Sequence, residues 1–330
     1  MFINHKICGA PEMRAIFTHH DEHPKSDAFI LTSRTENGTL VFLQDGGFDI
    51  CHQIDGLLAL RMEMLTALGL AHEAENPEYQ LDITLLISHF HVDHVEALFT
   101  SILPSPFLHV NAAYYPACSK LAENPKYATT KNGDANWRPR VMEALRTYHP
   151  EAPLYEIPFG ETREVPFGAG RMTVLMPKED WGDPELTEYA ADLYFADKPE
   201  ERIERTGIPV VNANCLWVRA EMAGRVLLLT GDTMKRCWDV HDESMDRVME
   251  TYGSFLEADV IKYPHHGMKR DEAWPNVQKL LRKADDACVV LTGGKAFEQS
   301  GPYLTENNIP WLDVRGGTLT LTFSEKGITK

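Results

Sequence analysis

The segment ITLLISHFHVDH, which runs from Ile83 to His94, carries more information than any other part of this chain. Its first five residues are apolar or β-branched, so they predict a fully buried strand. Three imidazoles and a carboxylate follow as soon as that strand ends. His89 and His91 are two residues apart, so they point to the same side of an extended segment. Asp93 and His94 follow where the backbone turns towards a predicted helix.

This arrangement indicates a site for metal ions. Two nitrogen ligands on one side and a mixed carboxylate and imidazole pair on the other suit two divalent ions held close together. A single histidine in such a place is more often part of a solvated turn. Here the buried strand directly before the histidines favours the metal site.

Composition is typical of a soluble globular protein. The chain has 330 residues, of which 43% are apolar and 25% charged. This length fits one α/β domain with insertions as well as two domains. No stretch approaches the about 20 apolar residues of a membrane span, and the first residues lack a secretory signal. Six scattered cysteines without a C-x-x-C pair indicate reduced thiols. We therefore expect a cytoplasmic protein with no membrane association.

The formal net charge is −17. Nucleic-acid binders usually gain affinity by neutralising phosphates with Lys and Arg, and this chain lacks an overall field for that. A local basic strip such as Arg138-Pro139-Arg140 remains compatible with a phosphate-containing substrate. Acidic balance is also common among cytoplasmic proteins.

The order of predicted elements indicates a layered α/β fold. Strands with turn signals open the chain, a helix is predicted from about 53 to 70, and further strands recur between polar helical segments. Hairpins at both ends of such a series favour a four-layer αββα sandwich. We expect a single domain over residues 1–330, with insertions at about 114–150 and 183–207.

Two later segments repeat the pattern of a buried strand that ends in a ligand. Val226–Thr230 runs into Asp232, and a buried carboxylate is expensive unless it is hydrogen-bonded or bound to cations. Asp232 is therefore our candidate for a ligand shared by two ions, although Asp is also a preferred helix N-cap. Val260–Tyr263 runs into His265 and His266. His265, the first off the strand, is the favoured ligand, and His266 is expected to face substrate as a donor or proton carrier.

Taken in order, these motifs resemble the metallo-β-lactamase superfamily. The series comprises Asp27-Ala28, Asp45-Gly46-Gly47, His89-x-His91-x-Asp93-His94, Asn212-x-Asn214, Thr230-Gly231-Asp232 and Lys262-x-x-His265-His266-Gly267. Within that superfamily the series looks like the soluble ComEC-type competence hydrolase domain and its free-standing relatives. The resemblance extends over roughly residues 26–325 and implies the metallo-β-lactamase fold.

The resemblance also implies a ligand set for two ions, zinc or manganese. One ion would be held by His89, His91 and Asp232. The other would be held by Asp93, His94, Asp232 and His265. Asp45 would support the site from outside the ligand set by orienting a histidine.

One departure concerns the first ion. Many members of the superfamily supply another histidine between the histidine motif and the bridging aspartate. The corresponding segment here, 174–180, has no histidine. Either Glu179 or Asp180 substitutes, or the first ion has fewer ligands. Val95-Glu96 and Met268 also stand where small residues are usual.

The sequence thus predicts a metal-dependent hydrolase that uses a metal-activated water. Asp93 and His266 are the candidate catalytic residues, and Lys262 and Asn214 are candidate substrate contacts, although Lys262 can equally be a solvated strand residue. The branch favours a phosphodiester substrate, either a small molecule or a nucleic-acid backbone. The enzymatic alternative is a carboxylic ester, lactone, thioester or β-lactam. A non-catalytic regulatory module that binds metal is the alternative from another class.

Overall fold

The computed structural model describes residues 10–18, 26–35, 38–48, 53–120, 137–176, 178, 207–233, 252–267, 280–315 and 317–330. The strands within these ranges are β1 (Glu12–Phe17), β2 (Phe29–Thr35), β3 (Gly38–Gln44), β4 (Leu81–Leu86), β5 (Leu108–Pro116), β6 (Leu154–Ile157), β7 (Thr162–Val165), β8 (Arg171–Leu175), β9 (Trp217–Met222), β10 (Arg225–Leu229), β11 (Val260–Lys262), β12 (Cys288–Leu291), β13 (Trp311–Asp313), β14 (Leu319–Ser324) and β15 (Gly327–Thr329). The α-helices are α1 (Gln53–Ala67), α2 (Val92–Ala97), α3 (Trp137–Tyr148), α4 (Gly207–Ala213) and α5 (Gly294–Glu306).

The strands form two mixed sheets. The first has the spatial order β15-β14-β1-β2-β3-β4-β5-β6, and the second has the order β13-β12-β11-β10-β9-β8-β7. Strands β3 to β6 are parallel to one another, and so are β10 to β13. The carboxyl ends of neighbouring parallel strands meet at one edge of a sheet, so the residues after β3 and β4, and those after β10 and β11, are brought together.

Side-chain alternation along the strands builds the layers. In β4, Leu86 lies in the core between the sheets, whereas Leu85 faces the opposite way and packs in one cluster with Leu57 of α1 and Val95 of α2. Between the sheets the Phe42 and Phe167 rings lie 5.2 Å apart. Helix α5 packs against β13 of the second sheet. The four-layer αββα sandwich predicted from the sequence is therefore confirmed.

Four strands were not predicted from the sequence. Strand β7 has three exposed residues out of four, and β13 and β15 are three residues long, so none of them shows a hydrophobic period. Strand β1 does alternate, with buried residues at every second position, and its period was readable.

The two predicted insertions are described only in part. Residues 114–116 continue β5 and pair with β6, so the first predicted boundary falls inside the sheet. The helix expected near 141–145 is present as α3. The segment 183–206 lies outside the described residues, so the division into one domain with insertions stays a prediction.

Two further findings concern the helices and the cysteines. Among the helices that the structure describes, none is both long enough and apolar enough to cross a membrane. Cys118, Cys215 and Cys288 are free thiols, in line with the reduced state expected from their spacing. The other three cysteines lie outside the described ranges.

Replacing Leu31, which is fully buried between the sheets, should destabilise the fold. Leu31→Ala is expected to lower the free energy of unfolding by about 2–5 kcal/mol, because it leaves a cavity in a packed core. Leu40→Ala on the neighbouring strand is the matched control, since Leu40 is 40% exposed and should change stability by about 0.5 kcal/mol or less. Denaturant titration of both variants measures the difference, and equal losses would contradict the core assignment.

Candidate metal centre

Five chain segments meet at the carboxyl edge of the two sheets. They are the segment before β2 (Asp27), the turn after β3 (Asp45), the segment from the end of β4 into α2 (88–94), the turn after β10 (Asp232) and the turn after β11 (His265 and His266). Backbone hydrogen bonds tie them together. The Asp27 amide donates to the Asp93 carbonyl over 3.2 Å, and the His265 amide donates to the Gly231 carbonyl over 3.3 Å.

Gly231 allows the approach of the two sheets at this point. Its φ of +57° lies in the left-handed region, which favours glycine. A Cβ here would lie 3.0 Å from the Cys215 sulfur and 3.1 Å from the Ser88 Cβ. The next residue, Asp232, is thereby held directly below the start of the histidine motif.

Four buried side chains can together hold a metal ion. Asp27, His94, Asp232 and His266 each offer one ligand atom, and these atoms all lie within 4.8 Å of one another. The Oδ2 atom of Asp232 is 3.3 Å from His94 Nε2 and 3.1 Å from His266 Nε2. Ligand atoms at about 2 Å from a tetrahedral zinc ion lie about 3.4 Å from one another. The spacing therefore suits a divalent metal.

The other predicted ligands adjoin this group. His89 Nε2 lies 3.2 Å from His91 Nδ1, and the His89 and His94 rings lie 4.1 Å apart. Asp93 Oδ2 lies 3.3 Å from His266 Nε2. The structure thus brings together all residues of the histidine motif with ligands that follow it by more than a hundred positions.

The side chains of the adjacent residues His265 and His266 lie at different distances from the centre of the cluster. His266 Nε2 contacts both Asp93 and Asp232, whereas His265 Nε2 lies 3.8 Å from Asp232 Oδ2 and is further from the centre of the cluster. Both have positive φ, 51° for His265 and 56° for His266. The amide of Gly293, after β12, donates to the His266 carbonyl over 2.8 Å. A Cβ at Gly293 would lie 2.6 Å from the His266 Cβ.

Unsatisfied nitrogen atoms in the cluster fit a bound cation. Buried polar groups in proteins almost always have a hydrogen-bond partner. In the part of the chain that the structure describes, His91 Nε2, His94 Nε2 and both ring nitrogens of His266 are buried without one. The His94 and His266 nitrogens come within 3.3 Å of carboxylate oxygens but not in hydrogen-bonding geometry. His94 Nε2 and His266 Nε2 both face Oδ2 of Asp232, as two ligands of one metal ion do.

Asp45 supports His94 from outside the ligand group. Its carboxylate accepts hydrogen bonds from the Ser88 amide at 2.7 Å and from the Ser88 hydroxyl at 2.6 Å. It also lies 3.0 Å from His94 Nδ1. This contact fixes the ring so that His94 Nε2 faces Asp232, which is the position predicted for Asp45. Outer carboxylates of this kind commonly hold the tautomer of a metal-binding histidine.

Lys262 and Asp27 form a second support for the ligand group. The sequence analysis assigned no role to Asp27. The Lys262 ammonium group is fully buried, 2.5 Å from Asp27 Oδ2 and 3.4 Å from Asp232 Oδ1. It donates to the Gly231 carbonyl over 3.0 Å. Asp27 Oδ1 lies 3.1 Å from His266 Nδ1. Lys262 is therefore not a solvated strand residue, and a direct contact with substrate stays a prediction.

Of the three remaining predicted site residues, the structure describes one. Asn214 is buried directly after α4, and its neighbour Cys215 accepts the Asp232 amide through its sulfur over 3.2 Å. Asn214 thus lies close to the centre, but its contact with substrate stays a prediction. Glu179 and Asp180, the candidates for the missing histidine, lie outside the described residues.

Burial and nearby charges shift the histidine pKa values in opposite directions. Burial lowers the pKa of His91 to about 4 and the pKa of His89 well below its usual value, so both rings are neutral near neutral pH. Burial also favours neutral His94, but the carboxylates of Asp232 and Asp45 outweigh it and raise the pKa of His94 to about 10.

The remaining charges form a coupled set around Asp232. Burial alone would raise the pKa of Asp232, but the positive charges of His266, His94 and Lys262 hold it well below its usual value. The pKa of His266 is raised, because Asp232 and Asp27 outweigh its burial. Protonated imidazoles thus balance the carboxylates in the metal-free protein, and a cation that binds there takes over this function.

Comparison with known proteins does not identify this chain. No protein-family model and no curated protein matches it. Among solved structures, a mutant of the β-hydroxylase CmlA matches at 13% identity with a TM-score of 0.46, over 95% of this chain and 54% of that one. The chain thus spans about half the length of that protein.

Two further structures match over most of both chains. Zn(2+)-bound PqqB from Methylobacterium extorquens has 14% identity and a TM-score of 0.40, over 89% of this chain and 86% of that one. MEM-A1, a subclass B3 metallo-β-lactamase isolated from a soil metagenome library, has 11% identity and a TM-score of 0.33, over 89% and 81%. Similarities this low give no information on the reaction of this chain.

Removing the charge of Asp45 should weaken metal binding. Asp45→Asn is expected to lower the affinity for zinc by about 10–100-fold, because His94 loses the carboxylate that orients it. Asp82→Asn is the matched control, since Asp82 makes the same 3.0 Å contact to the exposed His109. Competition with a chromogenic chelator measures both variants. Equal affinities of Asp45→Asn and wild type would contradict the orienting role.

The apparent affinity for zinc should also increase as the pH rises from about 7 to about 9. His94 has a pKa of about 10 in the metal-free protein, so it must release a proton to bind a cation in this range. Each displaced proton raises the apparent affinity by about tenfold per pH unit. Chelator competition across the range gives the slope, and a flat profile would show that His94 is not a ligand.

Proposed function

We propose that this protein is a dinuclear metal-dependent hydrolase of the metallo-β-lactamase superfamily that cleaves a phosphodiester. The observation that carries the proposal is the convergence of Asp27, His94, Asp232 and His266 at the edge of the sandwich, with the other residues of the histidine motif beside them. Buried imidazole and carboxylate groups in this number are the ligands of divalent zinc or manganese.

The ligands divide between two ions through the shared Asp232. His89 and His91 would hold the first ion with Asp232. Asp93 and His94 would hold the second. The sequence reading assigned His265 to the second ion and His266 to the substrate. The positions of the two rings favour the reverse, because His266 Nε2 is near both Asp93 and Asp232.

The chemistry needs an activated water. Two divalent ions lower the pKa of bound water from about 15.7 to about 7 and polarise the scissile bond. Asp93 is the carboxylate of the site with the most exposure, 19%, so it is placed to orient the attacking water. His265 lies nearer the rim than His266 and is placed to donate a proton or a hydrogen bond to the leaving group.

The phosphodiester assignment comes from the resemblance to ComEC-type domains, and the basic strip beside the histidine motif is compatible with it. The Arg138 guanidinium lies 5.5 Å from the Phe90 ring, and Phe90 separates His89 from His91. Arg138 is also paired with Glu156, so only part of its charge is available to a ligand. With a net charge of −17, this favours a small phosphodiester over a long nucleic-acid backbone.

Two alternatives belong beside this proposal. Hydrolysis of a carboxylic ester, lactone, thioester or β-lactam uses the same activated water. A regulatory module would keep one ion and no turnover. The free thiols support a cytoplasmic location, which is part of the proposal.

Loss of a ligand should reduce the number of bound ions and abolish turnover. We expect His91→Ala and Asp232→Ala to lose at least one of two bound ions and to hydrolyse bis(p-nitrophenyl) phosphate at background rate. His109→Ala is the control, since His109 is half exposed and contacts Asp82 away from the cluster.

Metal analysis and turnover are measured on the same preparations. Retained hydrolysis in either ligand variant would refute the assignment. One tightly held ion without turnover in the wild type would support the regulatory module. A screen of the reconstituted protein against phosphomonoesters, phosphodiesters and carboxylic esters separates the enzymatic alternatives.

A further inference from the structure

A buried lysine beside a site for cations is unfavourable for the binding of those cations. Lys262 is fully buried at the end of β11, where its charge must be paired, and its partners are Asp27 and Asp232. Its positive charge also repels a nearby cation. A residue in this place is therefore expected to have a role that outweighs the repulsion.

The contacts of Lys262 distinguish the two oxygen atoms of Asp232. The ammonium group lies 3.4 Å from Oδ1 and donates to the Gly231 carbonyl over 3.0 Å. The contacts of Oδ2 are made instead by His94, His265 and His266. One oxygen of the carboxylate faces a fixed positive charge and the other faces the ligand cluster.

Asp27 holds the lysine in this position. Its Oδ2 lies 2.5 Å from the ammonium group, and its Oδ1 lies 3.1 Å from His266 Nδ1. Asp27 is itself fully buried. Its position resembles that of Asp45, a buried carboxylate that lies 3.0 Å from Nδ1 of His94.

We propose that Lys262, held by Asp27, is a positioning residue that occupies Oδ1 of Asp232 and restricts this carboxylate to bridging two metal ions through Oδ2 alone. The inference rests on the proposed dinuclear hydrolase. A bridge through one atom brings two ions closer together than a bridge through both oxygens of a carboxylate. Lys262 thereby sets the separation between the ions without contacting the substrate.

The test compares metal–metal distances in zinc-loaded protein by X-ray absorption spectroscopy. Lys262→Met removes the ammonium group but keeps a long apolar chain. Lys262→Gln also removes the positive charge but keeps a neutral donor beside Asp27, so it guards against a folding defect. Arg282→Met is the control, because Arg282 pairs over 3.0 Å with the equally buried Asp259 at the other end of β11.

Wild type and Arg282→Met should show the ions at the lower end of the about 3.5–4 Å range of two-metal sites. Both Lys262 variants should retain two ions with the separation shifted towards the upper end. An unchanged separation in either Lys262 variant, with two ions bound, overturns the role of Lys262. Absence of a metal–metal distance in the wild type overturns instead the dinuclear hydrolase on which the inference rests.

Discussion

The candidate site depends on several carboxylates that are buried together at one edge of the sandwich. The carboxylates of Asp27, Asp45 and Asp232 are almost entirely removed from water within one cluster. Carboxylates in such a place must be compensated by hydrogen bonds or by positive charge. Two hydrogen bonds from Ser88 satisfy one of them, a buried lysine lies between the other two, and imidazoles fill the space between. Divalent cations complete this balance in the function that we propose.

The two sheets make this concentration of charge feasible. Each contributes a parallel region whose strands end at the shared edge, so the polar segments leave the apolar core at the same level. The core between the sheets fixes their spacing, and Gly231 allows the turn after β10 to lie against Ser88. Packing far from the cluster therefore determines distances within it. A rigid scaffold of this kind is what binding and catalysis require of a site.

Sequence reasoning found the ligand-bearing segments because each follows a buried strand, and a run such as 83–87 is readable from its composition alone. It did not find the role of Asp27, whose partners are 235 and 239 positions away at Lys262 and His266. Nor did it resolve the depths of His265 and His266. Those depths follow from two consecutive residues with positive φ. The spacing of β-branched and apolar residues along the sequence does not indicate that conformation. The short strands β13 and β15 were not predicted, because three residues are too few to show a hydrophobic alternation.

Gly293 has a consequence for how this protein can diverge. It contributes no functional group, yet its backbone lies against His266 so closely that even a methyl group would collide with that residue. A neutral-looking change on the β12 turn would thus displace an imidazole that belongs to another loop. Substitution at this position is therefore constrained by the placement of a side chain in another loop, and a search for related proteins would gain by including glycine there in the motif.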